Sequence, residues 1–347
     1  MGHPRTKDFA FVLIGMLVIA SGYLSVAYLS SYSATTLSAA IQDKFLKVNR
    51  NFLSQLHDQV LALSFWCAIA LTLGLEYLLP AKPAQKIYSV NLAQDVVWLL
   101  YQNILNALVL VFYVEYLTRF YSRYFSRLTV TSLSQYRGWV RFLIALLVVD
   151  FLYWLQHYCH HKVPLLWKFH ILHHSQKQIN FFTDFRYHVV EYIVRYTFLI
   201  IPFLILKIDP PVIVAFVIFS RCYSHFYHGN IRLNLGPLKY IFVTPQSHRV
   251  HHSRQVEYRD TNFGAIFSIW DFAFQTQCTN FDVYPETGIT DEAFPQEQKL
   301  GLRSLILTPL SQLLYPFVVM KRTYLSPAEA PLELSRITGP KLDGGDA

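Results

Sequence analysis

The chain has 347 residues, of which 53% are hydrophobic and only 15% are charged, and its formal net charge is +8. Soluble domains usually carry about a quarter charged residues, so this composition argues against a soluble protein and predicts a membrane protein. The basic residues flank apolar runs, which predicts contact with anionic lipid headgroups and no nucleic-acid partner.

Apolar runs near the length that spans a bilayer, about 20 residues, recur along the first half of the chain. We predict membrane-spanning helices at 9–29, 60–79, 92–117 and 139–156. The first run lacks a clear cleavage site for a signal peptide, so we expect it to be retained. Between the third and fourth runs, Arg119, Arg123 and Arg127 are spaced to share one helix face, which we expect to lie along the headgroups.

Two further apolar segments, 192–208 and 211–228, are joined by an Asp-Pro-Pro sequence. Because proline cannot continue a helix, we predict a turn there and a helical hairpin around it. A hairpin returns to the side of the membrane on which it began. His188, just before the hairpin, and His228, at its end, are therefore expected on the same side.

The last third of the chain is more polar. Residues 229–300 are rich in Gly, Pro, Asn and Asp and predict a water-facing cap. We expect the apolar segment 302–320 to be interrupted by Pro309 and Pro316 and to lie in the membrane interface, followed by a disordered or extended tail. The chain is thus predicted as an all-α, multi-pass membrane helix bundle. Its three parts are N-terminal membrane helices with the Arg-rich loop (1–138), a histidine-rich domain (139–300) and a C-terminal helix and tail (301–347).

Histidines occur in three groups with helical spacing. One group is an HxxxH pattern and two are HxxHH patterns: His157 and His161; His170, His173 and His174; His248, His251 and His252. Residues three and four apart share a helix face, so each HxxHH pattern directs three imidazoles into an arc of roughly 100°. Eight histidines in this arrangement predict a metal site, whereas the isolated His3 and His57 do not.

The number of imidazoles indicates how many ions they bind. A single zinc ion takes four ligands, so eight or more histidines predict two metal ions. Imidazole suits Zn, Cu, Fe and Ni, and spacing alone does not choose among them. Few carboxylates accompany the histidines, unlike the Glu-rich sites of soluble di-iron bundles. The arrangement suits an iron pair that activates dioxygen beside an apolar substrate.

Around these histidines, over about 140–280, the sequence resembles the fatty acid hydroxylase/sterol desaturase superfamily of integral-membrane di-iron oxygenases. DFLYWLQHYCHHKVPLLWKFHILHHS is similar to its first two histidine boxes and their Pro-x-x-Trp linker. FFTDFRYHVVEY resembles the Arg-x-His-Pro-x-Glu element, with Val189 in place of the proline, and SHFYHGNIRL resembles the His-x-Asn element. TPQSHRVHHS is similar to the third box, and NFGAIFSIWDFAFQT to the segment after it, with Gln275 in place of a glycine.

The resemblance implies a catalytic domain over 139–300, with its histidines on the cytosolic side of a bacterial inner membrane or endoplasmic reticulum. It also implies two iron ions, O2, a membrane lipid substrate and a separate electron donor. The metal ligands it assigns are His157, His161, His170, His173, His174, His188, His228, His248, His251 and His252. Glu191 and Asn230 match supporting positions of the family. His160 and His225 have no clear counterpart and are expected beside the ligands or at the interface.

Asp150 precedes His157 by seven residues on the same helix face, so it is expected either to orient a ligand or to serve packing and capping. Arg5 and Lys7 favour a cytoplasmic N-terminus, which shares the histidines' side if four spans precede them. The Arg-rich loop would then lie outside, so the number of spans stays open.

The expected reaction is hydroxylation or desaturation of an unactivated C–H bond in a sterol, fatty acyl chain, alkylglycerol or similar lipid. A transition-metal transporter is the alternative function, but it would place ligands midway along spans rather than at helix ends and in a cap. A zinc-dependent hydrolase would need a carboxylate base, as in HExxH, which the sequence lacks. The lipid, the oxidised carbon and the choice between hydroxylation and desaturation stay open.

Overall fold

The computed structural model describes residues 63–86, 89–109, 113–130, 132–208, 210–296 and 301–325. The predicted first span at 9–29, His3, His57 and the tail beyond 325 lie outside these residues. Within the described part the regular structure is helical, and β-pairing is limited to three isolated bridges. The all-α fold class is therefore confirmed for this part of the chain.

The α-helices of the described residues are α1 (Leu63–Leu78), α2 (Val90–Val109), α3 (Glu115–Tyr124), α4 (Gly138–Lys162), α5 (Pro164–His174), α6 (Val189–Ile205), α7 (Pro210–His228), α8 (Pro245–His251), α9 (Ile269–Ala273) and α10 (Leu302–Leu325). Two stretches of these helices, Gly138–Lys162 and Arg303–Lys321, are long and apolar enough to cross a membrane. The multi-pass arrangement and the water-facing cap stay predictions.

The sharp turn between α4 and α5 brings the first two histidine groups together. Val163 is extended, with φ −96° and ψ 113°, and Pro164 is the first residue of α5. Proline suits that position because its fixed φ fits a helix start and it needs no N–H partner there. The chain therefore folds back after α4, and α5 packs against α4 along the histidine-bearing ends of both helices.

The predicted hairpin is present as α6 and α7. α6 begins at a capping box in which the His188 side chain accepts from the Val190 N–H and the Glu191 carboxylate accepts from the His188 N–H. Both helices pack against α4 through a common core that includes Val149, Phe203 and Phe216. The hairpin thereby returns His228 to the end of the bundle where α5 lies.

Residues 229–296, the described part of the predicted cap, form short helices and loops that are fastened to α4 by two buried carboxylates. Asp150 accepts hydrogen bonds from the backbone N–H groups of Ile266 and Phe267 and from the indole of Trp270, at 2.8–3.1 Å. Asp271 accepts from the Trp154 indole at 2.9 Å. These bonds hold the cap, and α8 within it, over the ends of α4 and α5.

Two helix predictions differ from the structure. The run predicted as one span at 92–117 is helical over Val90–Val109 and again over Glu115–Tyr124, and residues 110–112 between them lie outside the described part. Arg127 lies in a 3₁₀ turn after α3, so it does not continue the helical face of Arg119 and Arg123. The last helix runs through Pro309 and Pro316 without interruption, because a helix can lose single backbone hydrogen bonds at proline and continue.

Candidate metal centre

Five histidines from three helices form one group, which we call the five-histidine cluster. His157 and His161 stand one turn apart at the end of α4, His170 and His174 stand one turn apart on α5, and His251 lies on α8. Each histidine offers one ring nitrogen as a possible ligand atom, and these five nitrogens all lie within 4.8 Å of one another. Such a group is compact enough to hold a metal ion.

Four other histidines form a second group, the four-histidine cluster, which is fully buried. His173 comes from α5, His228 from the end of α7, His248 from α8, and His252 from the residue that caps α8. Their ring nitrogens also lie within 4.8 Å of one another. Residues as far apart as 173 and 252 therefore meet, as the predicted metal site requires.

The two clusters adjoin each other. The rings of His174 and His252, one from each cluster, are stacked with centroids 4.4 Å apart. α5 and α8 each supply both clusters, because neighbouring residues of a helix point in different directions: His173 and His174 diverge, as do His251 and His252. Each HxxHH pattern thus contributes to both clusters, a division of the ligands that the sequence-based prediction of two ions did not include.

Several Nε2 atoms within each cluster approach one another closely. The pairs and distances are His161–His174 3.1 Å, His170–His174 3.2 Å, His173–His228 3.2 Å, His228–His248 2.9 Å and His248–His252 3.0 Å. Two nitrogens bound at about 2.1 Å and at right angles to one metal ion lie about 3.0 Å apart. The observed separations match those of ligands on a shared ion.

Hydrogen bonds on the outer side of the rings fix which nitrogen faces inward. The Nδ1 atoms of His157, His251 and His228 lie 2.8–2.9 Å from the carbonyl oxygens of Phe263, Thr261 and Ser224, respectively. A carbonyl oxygen only accepts, so each Nδ1 carries the proton and donates it. The Nε2 lone pairs are then left facing the cluster, which is the tautomer that metal ligands adopt.

Buried ring nitrogens in the five-histidine cluster support the same reading. The Nε2 atoms of His157 and His251 are buried and have no hydrogen-bond partner among the described residues. A buried polar atom without a partner costs free energy, and a bound cation would satisfy it. The residues present therefore fit a pair of metal ions.

The electrostatics keep these imidazoles neutral. Burial, followed by the neighbouring histidines, lowers the pKa well below its usual value for six residues of α5 and the α8 segment: His170, His173, His174, His248, His251 and His252. A neutral imidazole has a free lone pair, and several neutral rings can share a buried site without mutual repulsion. The site is thus prepared to bind a cation.

The structure does not place His188 in either cluster, although the resemblance assigned it as a ligand. Its Nδ1 accepts from the Val190 N–H, and its Nε2 lies 3.0 Å from the carbonyl oxygen of Leu313. Both ring nitrogens are therefore engaged in capping α6 and linking it to α10. Val189, which stands where the family element has proline, is the next residue after His188.

His160 and His225 are buried next to the clusters but belong to neither. His160 Nδ1 lies 2.8 Å from the carbonyl oxygen of Gln156 on its own helix. His225 Nδ1 lies 3.2 Å from the carbonyl oxygen of Phe181, and its ring stacks on the Phe181 ring. Their positions agree with the expectation that they lie beside the ligands.

The other supporting residues have distinct contacts. Glu191 directly contacts the five-histidine cluster through His170. Asn230 accepts from Arg249 Nη1 at 3.1 Å and so contacts α8 rather than a histidine. Asp150 fastens the cap and has no hydrogen bond to a histidine among the described contacts, so its packing role is the one observed.

Two aspartates near the clusters were not anticipated from the sequence. Asp184 is buried, accepts from Ser224 Oγ at 2.8 Å and lies 3.6 Å from His228 Nδ1. Asp260 lies 3.3 Å from His161 Nδ1 and 2.7 Å from Lys162 Nζ. Burial alone would raise the pKa of Asp260, but the hydrogen bonds from His161 and Lys162 lower it to about 2. Asp260 is therefore anionic and can hold the His161 ring in place.

Comparison with known proteins agrees with the geometry. Residues 142–276 match the model of the fatty acid hydroxylase family, so the resemblance found in the sequence is confirmed over this segment. The matched segment contains all nine histidines of the two clusters.

Similar relatives include two kinds of lipid-oxidising enzyme. Human alkylglycerol monooxygenase is 36% identical over 132 residues, which cover 38% of this chain and 29% of the human protein. The ornithine lipid hydroxylase OlsE of Rhizobium tropici is 28% identical over 169 residues, or 49% of this chain and 50% of that protein. The chain thus spans at most half the length of these relatives. No solved structure matches it.

Proposed function

We propose that this chain, whose residues 142–276 match the fatty acid hydroxylase family, is a membrane-bound di-iron oxygenase. In this proposal it oxidises an unactivated C–H position of a lipid, using O2 and electrons from a separate donor. The three predicted parts, 1–138, 139–300 and 301–347, are kept as the proposed domain organisation, with the histidines on the cytoplasmic side.

One observation carries the proposal: nine imidazoles, seven of them on buried residues and two on half-buried ones, converge in two adjoining groups within the segment that matches the family. A pair of iron ions held there would supply O2 activation and C–H oxidation. The ligand set is nearly all imidazole, which suits iron among several transition metals. The names of the relatives favour hydroxylation over desaturation, because both are lipid hydroxylating enzymes by name.

The chain's own residues would contribute orientation and exclusion of water. Backbone carbonyls of Phe263 and Thr261 hold the rings of His157 and His251 with their lone pairs inward. Carboxyl oxygens of Glu191 and Asp260 hold the rings of His170 and His161 in the same orientation. All four residues of the four-histidine cluster are buried, which keeps bulk water away from their rings.

The geometry disfavours the transporter alternative. Transported ions need sites that exchange ligands along a path. Here the ligand rings are fixed by hydrogen bonds on their outer nitrogens, and α5 and α8 each tie both clusters together. Such a rigid double site favours a resident pair of ions.

The test compares cells that express the full chain with cells that express His173→Ala, a change in the four-histidine cluster. His160→Gln serves as the matched control, because His160 is equally buried but outside both clusters. Lipid profiling is expected to show hydroxylated lipids with the wild type and the control, and none with His173→Ala. An unchanged lipid profile, accompanied by altered metal uptake, would support the transporter instead.

A further inference from the structure

A cavity of about 220 Å³ lies beside α1, outside both histidine clusters. Its lining includes the apolar side chains of Leu73, Leu92 and Phe181, of which Leu92 and Phe181 are buried. It also includes Lys82 and Lys86, in the loop that follows α1, and Lys86 is exposed. The cavity therefore combines an apolar inner wall with a basic rim.

The cavity is a constructed part of the fold. Pro80 pairs with Ile231 in a β-bridge, and the backbone N–H groups of Ala81 and Lys82 bond to Asn230 at 2.9 and 3.0 Å. These bonds fix the loop after α1 against the residues that follow α7. Glu76, which also lines the cavity, accepts from the Phe181 N–H at 3.0 Å and fixes the opposite wall.

The neighbouring surface of α1 suits the hydrocarbon of a membrane. Leu71 and Leu78 of the apolar helix α1 are 64% and 70% exposed, so both side chains are available to contact hydrocarbon. Lysines at the end of an apolar helix are typical of the headgroup level, where their charges meet anionic lipids. The cavity thus lies where an apolar helix surface ends and basic side chains begin.

We propose that this cavity binds an anionic glycerolipid. The upper part of an alkyl chain would pack against Leu73, Leu92 and Phe181, and the acidic headgroup would lie at Lys82 and Lys86. The volume is below the roughly 300–1,000 Å³ of pockets that enclose whole drug-sized ligands, so only part of the lipid enters. Lys82 pairs with Glu286, but an exposed ion pair is weak and can be exchanged for a phosphate.

The cavity wall also contacts the surroundings of the four-histidine cluster. The Phe181 ring stacks on His225 with centroids 4.6 Å apart, and His225 lies 3.4 Å from Asp184. Asp184 in turn lies 3.6 Å from His228. A series of three contacts therefore connects the cavity wall to a ring of that cluster. Binding of the lipid itself needs no metal.

The test titrates the full chain, purified in neutral detergent, with two single-chain lipids and reads binding by native mass spectrometry. The lipids are oleoyl lysophosphatidylglycerol, which is anionic, and oleoyl lysophosphatidylcholine, which is zwitterionic. We expect the wild type to bind the anionic lipid about tenfold more tightly. Lys86→Glu should abolish this preference, and Leu73→Trp, which fills the cavity, should weaken binding of both lipids.

The control variant is Lys207→Glu, which should bind both lipids like the wild type. Lys207 lies at the far end of the α6–α7 hairpin, and the 19-residue length of α7 separates it from Asn230. Equal binding of both lipids by the wild type, or wild-type preference in Lys86→Glu, would overturn the proposal. Displacement of the anionic lipid by glycerol phosphate alone would also overturn it, since a site for free phosphate needs no apolar wall. Metal content, measured on the same samples, tests the proposed oxygenase separately.

Discussion

The Nδ1 atom of His170 lies 2.6 Å from Oε2 of Glu191, and both side chains are almost completely buried. Oε1 of the same carboxyl accepts from the His188 N–H at 3.0 Å. Glu191 therefore joins the start of α6 to a ring of the five-histidine cluster, and its two oxygens have separate tasks.

Glu191→Gln is expected to lower iron affinity by about tenfold or more, the usual effect of losing a partner that orients a ligand. Glutamine has only one acceptor oxygen. If that oxygen accepts from the His188 N–H, the NH2 group faces the Nδ1 donor of His170 and cannot accept its hydrogen bond. Metal titration of the purified protein measures the effect. Glu257→Gln, an exposed change in the cap, is the control; equal iron affinity in all three proteins would contradict the orienting role.

Asp150→Ala should destabilise the cap without removing a ligand. The change leaves the N–H groups of Ile266, Phe267 and Trp270 without their carboxylate. Unsatisfied buried donors cost about 1–3 kcal/mol each, so the free energy of unfolding should fall on the order of 3 kcal/mol. Thermal unfolding in detergent measures it, with Asp282→Ala as an exposed control. A loss of metal with unchanged unfolding would instead assign Asp150 to ligand orientation.

His188→Ala separates capping from metal binding. Because both ring nitrogens of His188 contact backbone groups, the variant should retain two metal ions per chain. The loss of the helix cap should cost about 1 kcal/mol of unfolding free energy. His228→Ala, in the four-histidine cluster, should lose metal. Elemental analysis decides the matter, and metal loss in His188→Ala equal to that in His228→Ala would restore His188 as a ligand.

The stability of the metal-free protein should depend on pH in one direction. Burial and neighbouring histidines hold the pKa values of His173, His248 and His252 well below their usual value, so the folded chain binds fewer protons than the unfolded chain. Unfolding free energy is then fully present above about pH 6.5, the unperturbed histidine value, and falls as the pH drops below it.

Bound metal competes with these protons, so the acid limb should move to lower pH in the metal-loaded protein. Unfolding temperatures of chelator-treated and metal-loaded samples, taken from about pH 8 to about pH 5, test both statements. A metal-free protein whose unfolding temperature rises as the pH falls through this range would refute the assignment of neutral imidazoles.

The sequence was most informative where local spacing decides the structure. HxxHH places His248 and His251 on one short helix with His252 at its end, and the Asp-Pro-Pro sequence predicts the hairpin of α6 and α7. Long-range contacts had no such signal. Asp184 and Asp260 reach Ser224 and His161 across 40 and 99 residues of chain, and no periodicity links these positions.

His188 shows a different limit of sequence reasoning. It stands in the family's Arg-x-His element, so the motif favoured a ligand, yet its position at the first turn of α6 makes it a cap. Asp150 was left open between two roles because helix spacing gives the face of α4 but not the loop that covers it. The covering segment, residues 266 to 270, supplies the hydrogen-bond donors that Asp150 contacts.

Because α5 and α8 each carry rings that belong to both clusters, neither cluster can be ordered or disordered by itself. In the proposed two-ion state, one bound ion would further restrict both shared helices and so lower the entropic cost of binding the second. Loading should then be cooperative, with few singly occupied chains at intermediate metal supply.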